Sequence, residues 1–270
     1  MVVAYDVTVS VEKSISLAWV HADDHERKVI DDAIDQGVNA AVKYLEQHAI
    51  AVRRGRGSES VDGVWAASYR HLTNRNLEPQ IHEHVLVANV AAPAHGGDTQ
   101  AIDARGLMHH AKTAGYVAGA VIRNHLSTNL GVEWNPAERG IADLAGVPRT
   151  AIDAMSTRRH EVMSVANELG LDSLTSRQYA ALTTRDAKRN PTDWDELEHA
   201  WKDQLTSLGF DRADWLQLTN ADRRNIAALT TTDLSDLTAS FDGLDGVTKH
   251  SSIFARRDRS EERRVGKECA

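Results

Sequence analysis

The sequence predicts an α+β domain over residues 1–147, followed over 148–258 by an extension that is almost wholly helical. Three observations carry this expectation. Segments 3–10, 63–71 and 81–90 read as strands, the first alternating apolar and polar side chains at period two. Segments 23–48 and 104–130 read as long helices, the first with apolar residues near the 3.6-residue period. From about Pro148 onward only helical patterns follow, so the strands gather in the first half.

The elements follow in order. Strand 3–10 is succeeded by Val11, Glu12, Lys13 and Ser14 and by the largely apolar stretch 15–19. Helix 23–48 turns Val29, Ala33, Val38, Ala41, Val42 and Leu45 to one side. Residues 52–58 hold Arg53, Arg54 and Arg56 among glycines, the composition of a turn or hairpin rim. Strand 63–71 places Val64, Ala66, Ser68 and Arg70 on one face. A polar loop, 72–80, leads into strand 81–90. A Gly/His turn at 93–98, a short strand at 99–103 and helix 104–130 come next, with a further short strand at Glu133 and Trp134. Helices are expected at 150–169, 176–188, 194–208 and 220–240, the third opened by Pro191, Thr192 and Asp193.

Composition narrows the function. The chain is 41% hydrophobic and 26% charged, enough apolar material for a core. The net charge of −8 argues against a broadly cationic nucleic-acid coat, though not against a local basic groove in an acidic body. No run of 18 apolar residues and no signal-peptide pattern occurs. The single cysteine, Cys269, allows neither an internal disulfide nor a cysteine-based zinc site. It lies in 259–270, a segment that resembles the in-frame translation of a sequencing adapter and is expected to stand outside the fold. No G-x-x-x-x-G-K-[ST] loop is present, which removes an ATPase built on that motif.

The chemistry concentrates in three histidines. His82 and His84 are two apart on a strand, so their imidazoles share a face while Ile81, Glu83 and Val85 face the other way. His71 ends the preceding strand and returns beside the pair if the two strands are antiparallel neighbours. Three histidines leave coordination positions open, the pattern of a catalytic metal. Spacing alone also allows ordinary polar residues on a wet sheet face. Asp6, on the first strand, is the best candidate to orient an imidazole through its second nitrogen, or else a plain strand-end aspartate. A cation held by neutral ligands keeps its charge and attracts phosphate oxygens.

The residues then become familiar as a set. Tyr5-Asp-Val-Thr-Val-Ser-Val-Glu-Lys-Ser-Ile-Ser16, Arg70-His71, Asn74-Arg75, Glu78-Pro-Gln-Ile-His82-Glu-His84 and Val87-Ala-Asn89 resemble the signatures of MobF-class conjugative relaxases, the TraI/TrwC-like family, over about 200 residues. The resemblance implies a palm-like antiparallel sheet flanked by helices. It implies a metal-dependent single-stranded DNA endonuclease and strand transferase that nicks a plasmid transfer origin through a tyrosine and stays bound to the 5′ phosphate. By that resemblance His71, His82 and His84 hold a divalent cation (Mg, Mn or Zn), and Asp6 orients a ligand histidine and assists the tyrosine. Single-stranded DNA at a transfer origin and other relaxosome proteins are the implied partners, with no membrane, in the cytoplasm. The family's nucleophilic tyrosines precede the opening strand, and Tyr5, Tyr44, Tyr69, Tyr116 and Tyr179 do not match them. This reading therefore expects a relaxase fragment short at both ends and inactive alone. Its rivals are a metal-dependent phosphodiester hydrolase using water and a non-catalytic DNA-binding remnant.

Arg54, Arg56 and Arg75 are the candidate phosphate contacts, against the reading of a solvated charge run. Trp65, Trp134, Trp194, Trp201 and Trp215 could stack bases, although helical tryptophans more often anchor a core. His109 and His110 are adjacent on a helix and diverge, so surface or capping roles are expected for them.

Overall fold

The computed structural model describes residues 2–54, 57–138, 140–168 and 193–219. Three antiparallel strands, β1 (Ala4–Ser10), β4 (Ala66–Thr73) and β5 (Pro79–Ala88), form a sheet in the order β1-β5-β4. A separate hairpin pairs β2 (Ala51–Arg54) with β3 (Gly57–Ser60). The helices are α1 (Lys13–His21), α2 (Asp24–His48), α3 (Ala104–Leu130), α4 (Arg149–Ala154), α5 (Thr157–Glu168), α6 (Trp194–Ser207) and α7 (Arg212–Thr219). This is the α+β architecture the sequence predicts. Among the described residues no helix is long and apolar enough to cross a membrane.

The sheet has two unlike faces. Val7, Val9, Ile81, Val85 and Val87 are buried in one core with the inner sides of α2 and α3. α2 begins with a reciprocal cap: Glu26 N–H donates to Asp23 Oδ1 (2.9 Å) and Asp23 N–H to Glu26 Oε2 (2.8 Å). Its buried row is Ile30, Ala33, Ile34, Gly37, Val38, Ala41 and Leu45. That row is rotated slightly from the predicted one, leaving Val29 and Val42 at its margin. Gly37 is where α2 and α3 meet closely. A Cβ there would stand 2.6 Å from Ile122 Cγ1 and 3.0 Å from the Ala118 carbonyl oxygen.

Several elements add to the sequence-based expectation or differ from it. The stretch 15–19 belongs to α1, whose Ser14 and Ser16 are fully buried. Their hydroxyls accept from the Leu144 and Ile81 N–H groups, each at 2.9 Å, which ties the helix to β5 at Ile81 and to the chain at Leu144. Segment 99–103 makes only isolated bridges, Ala91 with Gln100 and Val52 with Ile102. The helix expected at 150–169 is broken in two. Ser156 Oγ turns back onto the Ile152 carbonyl (2.6 Å), and the Thr157 N–H leaves the helical ladder for the Glu78 carboxylate (2.8 Å). The expected helices 176–188 and 220–240 and segment 259–270 lie outside the described residues.

The later helices pack into the same core. Trp201, Leu205, Phe210 and Trp215 are buried in it. Arg27 pairs with Glu198 (2.7 Å), and Arg212 with Asp23 (3.0 Å) and with Glu26. They also grip the loop 74–78 that joins β4 to β5. Glu78 Oε1 accepts from Thr157 N (2.8 Å) and Oγ1 (2.5 Å), so it caps α5 from a distance. Trp201 Nε1 donates to the Leu77 carbonyl (2.8 Å). Leu77 itself sits at φ +60°, a left-handed conformation unfavourable for a leucine and held here by its surroundings. Lys13 Nζ donates to the Pro79 carbonyl (2.9 Å).

Between β4 and β5 lies a buried ion pair. Glu83 is 2% exposed, and its Oε1 accepts from Arg70 Nε (2.8 Å) and Nη2 (2.6 Å). Arg70 also reaches Asp31 (3.0 Å) and Asp35 (2.5 Å) on α2. Removing one partner of a buried pair strands the other charge, at a cost of roughly 3–5 kcal/mol. Arg70→Leu should therefore lower the unfolding free energy by about that amount in urea titration, and the double change Arg70→Leu with Glu83→Leu should lose less than the single one. Lys13 gives a second test. Burial holds its ammonium at a pKa of about 8, against an ordinary value of 10.5, with Glu78 opposing the shift. The unfolded chain binds this proton more tightly, so stability should rise with pH between about 8 and 10.5. Unfolding free energies across that range should lose this rise in Lys13→Met.

Candidate metal centre

The open face of the sheet carries the histidines. In the β4–β5 register His71 lies directly opposite His82, and Tyr69 opposite His84. In the β1–β5 register Ser10 faces His82, Thr8 faces His84 and Asp6 faces Leu86. Alternation then places Asp6, Thr8, Ser10, Tyr69 and all three histidines on one side, and Arg70 and Glu83 on the other. The rings of His71, His82 and His84 stand 5.0–5.2 Å apart, centroid to centroid, and edge to face. One ring nitrogen from each lies within 4.8 Å of the others. All three side chains are half-buried, so the cluster has a floor of protein and a side open to solvent.

Second contacts orient two of the rings. His84 Nδ1 sits 2.8 Å from Asp6 Oδ2 and 3.0 Å from Oδ1, with the Thr8 hydroxyl at 3.4 Å. His82 Nδ1 lies 2.9 Å from the Gln80 carbonyl oxygen. The Asp6 carboxylate and the Gln80 carbonyl can only accept, so the proton belongs on Nδ1 and the Nε2 lone pair is left for a cation. Burial lowers the His82 pKa, and the neighbouring His84 and His71 add to that effect. The neutral, ligating form is the one favoured. A cluster of neutral nitrogens with its tautomers set by outer acceptors suits a divalent metal and brings no charge of its own to offset it.

The other candidates are spread more widely. Arg75 is half-buried in loop 74–78, at the tip of the histidine hairpin. Arg54 ends β2 in the separate hairpin sheet, and Arg56 lies outside the described residues. Arg53 is largely exposed, 3.6 Å from Asp103. Tyr5 packs against the core, on the face away from Asp6. His110 Nδ1 meets the Tyr44 hydroxyl at 2.8 Å, a side-chain hydrogen bond between α2 and α3. His21 is buried edge-on to Phe210, and burial lowers its pKa. Sequence reasoning missed the supports of the centre: Glu78, Lys13 and Trp201. Glu78 lay within a quoted motif, yet no local signal marks its partner Thr157, 79 positions away.

Known proteins resemble this chain in sequence and in fold. The family model described as TrwC relaxase matches residues 1–208. The multifunctional conjugation protein TraI of Escherichia coli is 30% identical over 219 residues, and that of strain K12 is 31% identical over 220. Each match covers 77% of this chain, and the chain spans only 12% of the length of these relatives. A solved conjugative relaxase TrwC in complex with oriT DNA, in a metal-bound structure, aligns with a TM-score of 0.68 at 27% identity, over 78% of this chain and 73% of that one. A metal-free TrwC–oriT DNA complex gives 0.69, also at 27% identity, over 78% and 75%. With the family model spanning the sheet, the histidine hairpin and α6, the chain belongs to the TrwC relaxase family.

Proposed function

We propose that this chain is the DNA-processing core of a conjugative relaxase, a metal-dependent enzyme that nicks single-stranded DNA at a plasmid transfer origin and transfers the strand. The observation that carries the reading is the convergence of His71, His82 and His84 on the open sheet face, with Asp6 against His84. The solved TrwC relaxases with the same fold are bound to oriT DNA, and one of these complexes is metal-bound. In this reading His71, His82 and His84 are the metal ligands, and an all-imidazole donor set favours zinc over magnesium or manganese. Bound there, the cation supplies Lewis-acid relief of charge on the scissile phosphate.

The chain's own residues do the rest. Asp6 holds His84 in one tautomer and the Gln80 carbonyl does the same for His82, so the nitrogens converge before any substrate arrives. The open side of the cluster admits a phosphate. Arg54, Arg56 and Arg75 contact flanking phosphates, so affinity falls with salt. In the family's reaction a tyrosine oxygen attacks the phosphorus, the 3′ oxygen leaves and the 5′ phosphate stays on the tyrosine. Among the described tyrosines Tyr69 shares the histidine face, while Tyr5 faces the core. The setting is the cytoplasm, with other relaxosome proteins as partners.

Calorimetry should find one divalent cation per chain. His82→Ala should abolish tight binding, and Asp6→Asn should weaken it about 10–100-fold. Equal binding by wild type and His82→Ala would reject the ligand assignment. A denaturing gel after incubation with an oligonucleotide and metal separates the chemistries. Tyr69 sits on a paired strand with little reach toward a phosphate at the histidines, so no covalent adduct through it is expected. An adduct lost in Tyr69→Phe would make Tyr69 the nucleophile, and cleavage without adduct would favour a water-using hydrolase.

A further inference from the structure

The histidine face extends beyond the metal centre as an unusual surface. Trp65 is 79% exposed, Tyr69 55% and Leu86 37%. The Ala88 N–H donates to the Trp65 carbonyl (2.8 Å), so strand pairing continues past the start of β4. Alternation then sets Trp65, Ala67, Tyr69 and His71 on one side. Ala67 lies opposite Leu86 in the register, so a small side chain separates the two aromatics and leaves an apolar floor between them. β4 is an edge strand. Large aromatics bared on an edge strand invite unwanted association unless they serve a ligand.

Charge selects the kind of ligand contact. Along β1, β4 and β5 the residues on this face are Ala, Asp, Thr, Ser, Gln, Trp, Tyr, His and Leu, and none is Lys or Arg. Whatever lies here is gripped by its apolar or π surfaces rather than by its charge. A nucleobase offers such a surface, and stacking on Trp or Tyr tolerates every base. At 3.3–3.4 Å per residue, Tyr69 stands about 7 Å and Trp65 about 20 Å along the strand from His71.

We propose that Trp65 and Tyr69 form a base-stacking track that receives the single-stranded DNA flanking the phosphate held at the histidines. This rests on the relaxase reading above and adds to it the way the flanking nucleotides are bound. The track positions the strand by its bases, Tyr69 taking the nucleotide beside the metal centre and Trp65 one farther along.

The test compares wild type, Trp65→Ala, Tyr69→Ala and Tyr69→Phe by fluorescence anisotropy, using a labelled mixed-sequence DNA oligonucleotide and a matched strand of abasic sugar-phosphate units. Both alanine variants should bind the ordinary oligonucleotide at least about fivefold more weakly, the size expected for one lost stack. Tyr69→Phe should bind like wild type, because a ring without the hydroxyl still stacks. All four proteins should bind the abasic strand alike. Trp65 and Tyr69 are exposed enough for these variants to fold, and circular dichroism checks that directly. Unchanged affinity in Trp65→Ala and Tyr69→Ala, with wild type binding DNA, would overturn the track and leave the relaxase reading standing. Absence of any DNA binding by wild type would overturn both. A dimer dispersed by Trp65→Ala, with DNA affinity unchanged, would show that a second copy of the chain covers this face instead and would overturn the proposal.

Discussion

The pairing of β4 with β5 is the constraint on which the site depends, and the Arg70–Glu83 ion pair is its most specific lock. These two residues face each other across the strands on the buried side, while His71 and His82 face each other one step along on the open side. A slip of one residue would turn every side chain of one strand to the opposite face. It would put a histidine into the core and leave Glu83 without its guanidinium. The same two strands thus carry an internal charge pair that specifies register and an external ligand set that uses it. Arg70 also reaches Asp31 and Asp35, so the lock ties the hairpin to α2.

The hairpin is held at its tip as well. Loop 74–78 contains a leucine with a left-handed backbone, and three distant elements grip it or its margin: α6 through Trp201, α5 through Thr157, and α1 through Lys13. Each contact uses a polar atom on one side and the backbone or a buried carboxylate on the other. Hydrogen bonds of this kind are modest singly and directional together. The effect is to make the helices after residue 148 part of the scaffold for histidines far ahead of them in the chain.

The chemistry of the cluster follows from what it lacks. No carboxylate is among the three converging side chains, and Asp6 touches His84 rather than standing in for a ligand. A cation placed there would keep its full charge toward an incoming phosphate. The strand residues around it on that face are aromatic, hydroxyl-bearing, carboxylate or small, with no Lys or Arg among them, so attraction of an anion falls to the centre itself.

Much of this was legible in the sequence. Period-two alternation and two-residue spacing were enough to put His82 and His84 on one face, Glu83 on the other and Tyr5 away from Asp6, because strand geometry is local. The quoted motifs pointed to the family, and the extents of α2 and α3 and the apolar period of α2 were plain in their residues. What the sequence left open was whether His71 returns beside the pair, whether Asp6 meets an imidazole, and where helix 150–169 breaks. The first is decided by the β4–β5 register, and the other two by contacts between residues 78 and 79 positions apart, Asp6 with His84 and Glu78 with Thr157. Local propensity carries no information about such partners. The sequence by itself determined which side chains each strand presents to each face. Only the tertiary structure, by closing the β4–β5 register and pinning its loop, decided that three of them meet at one point.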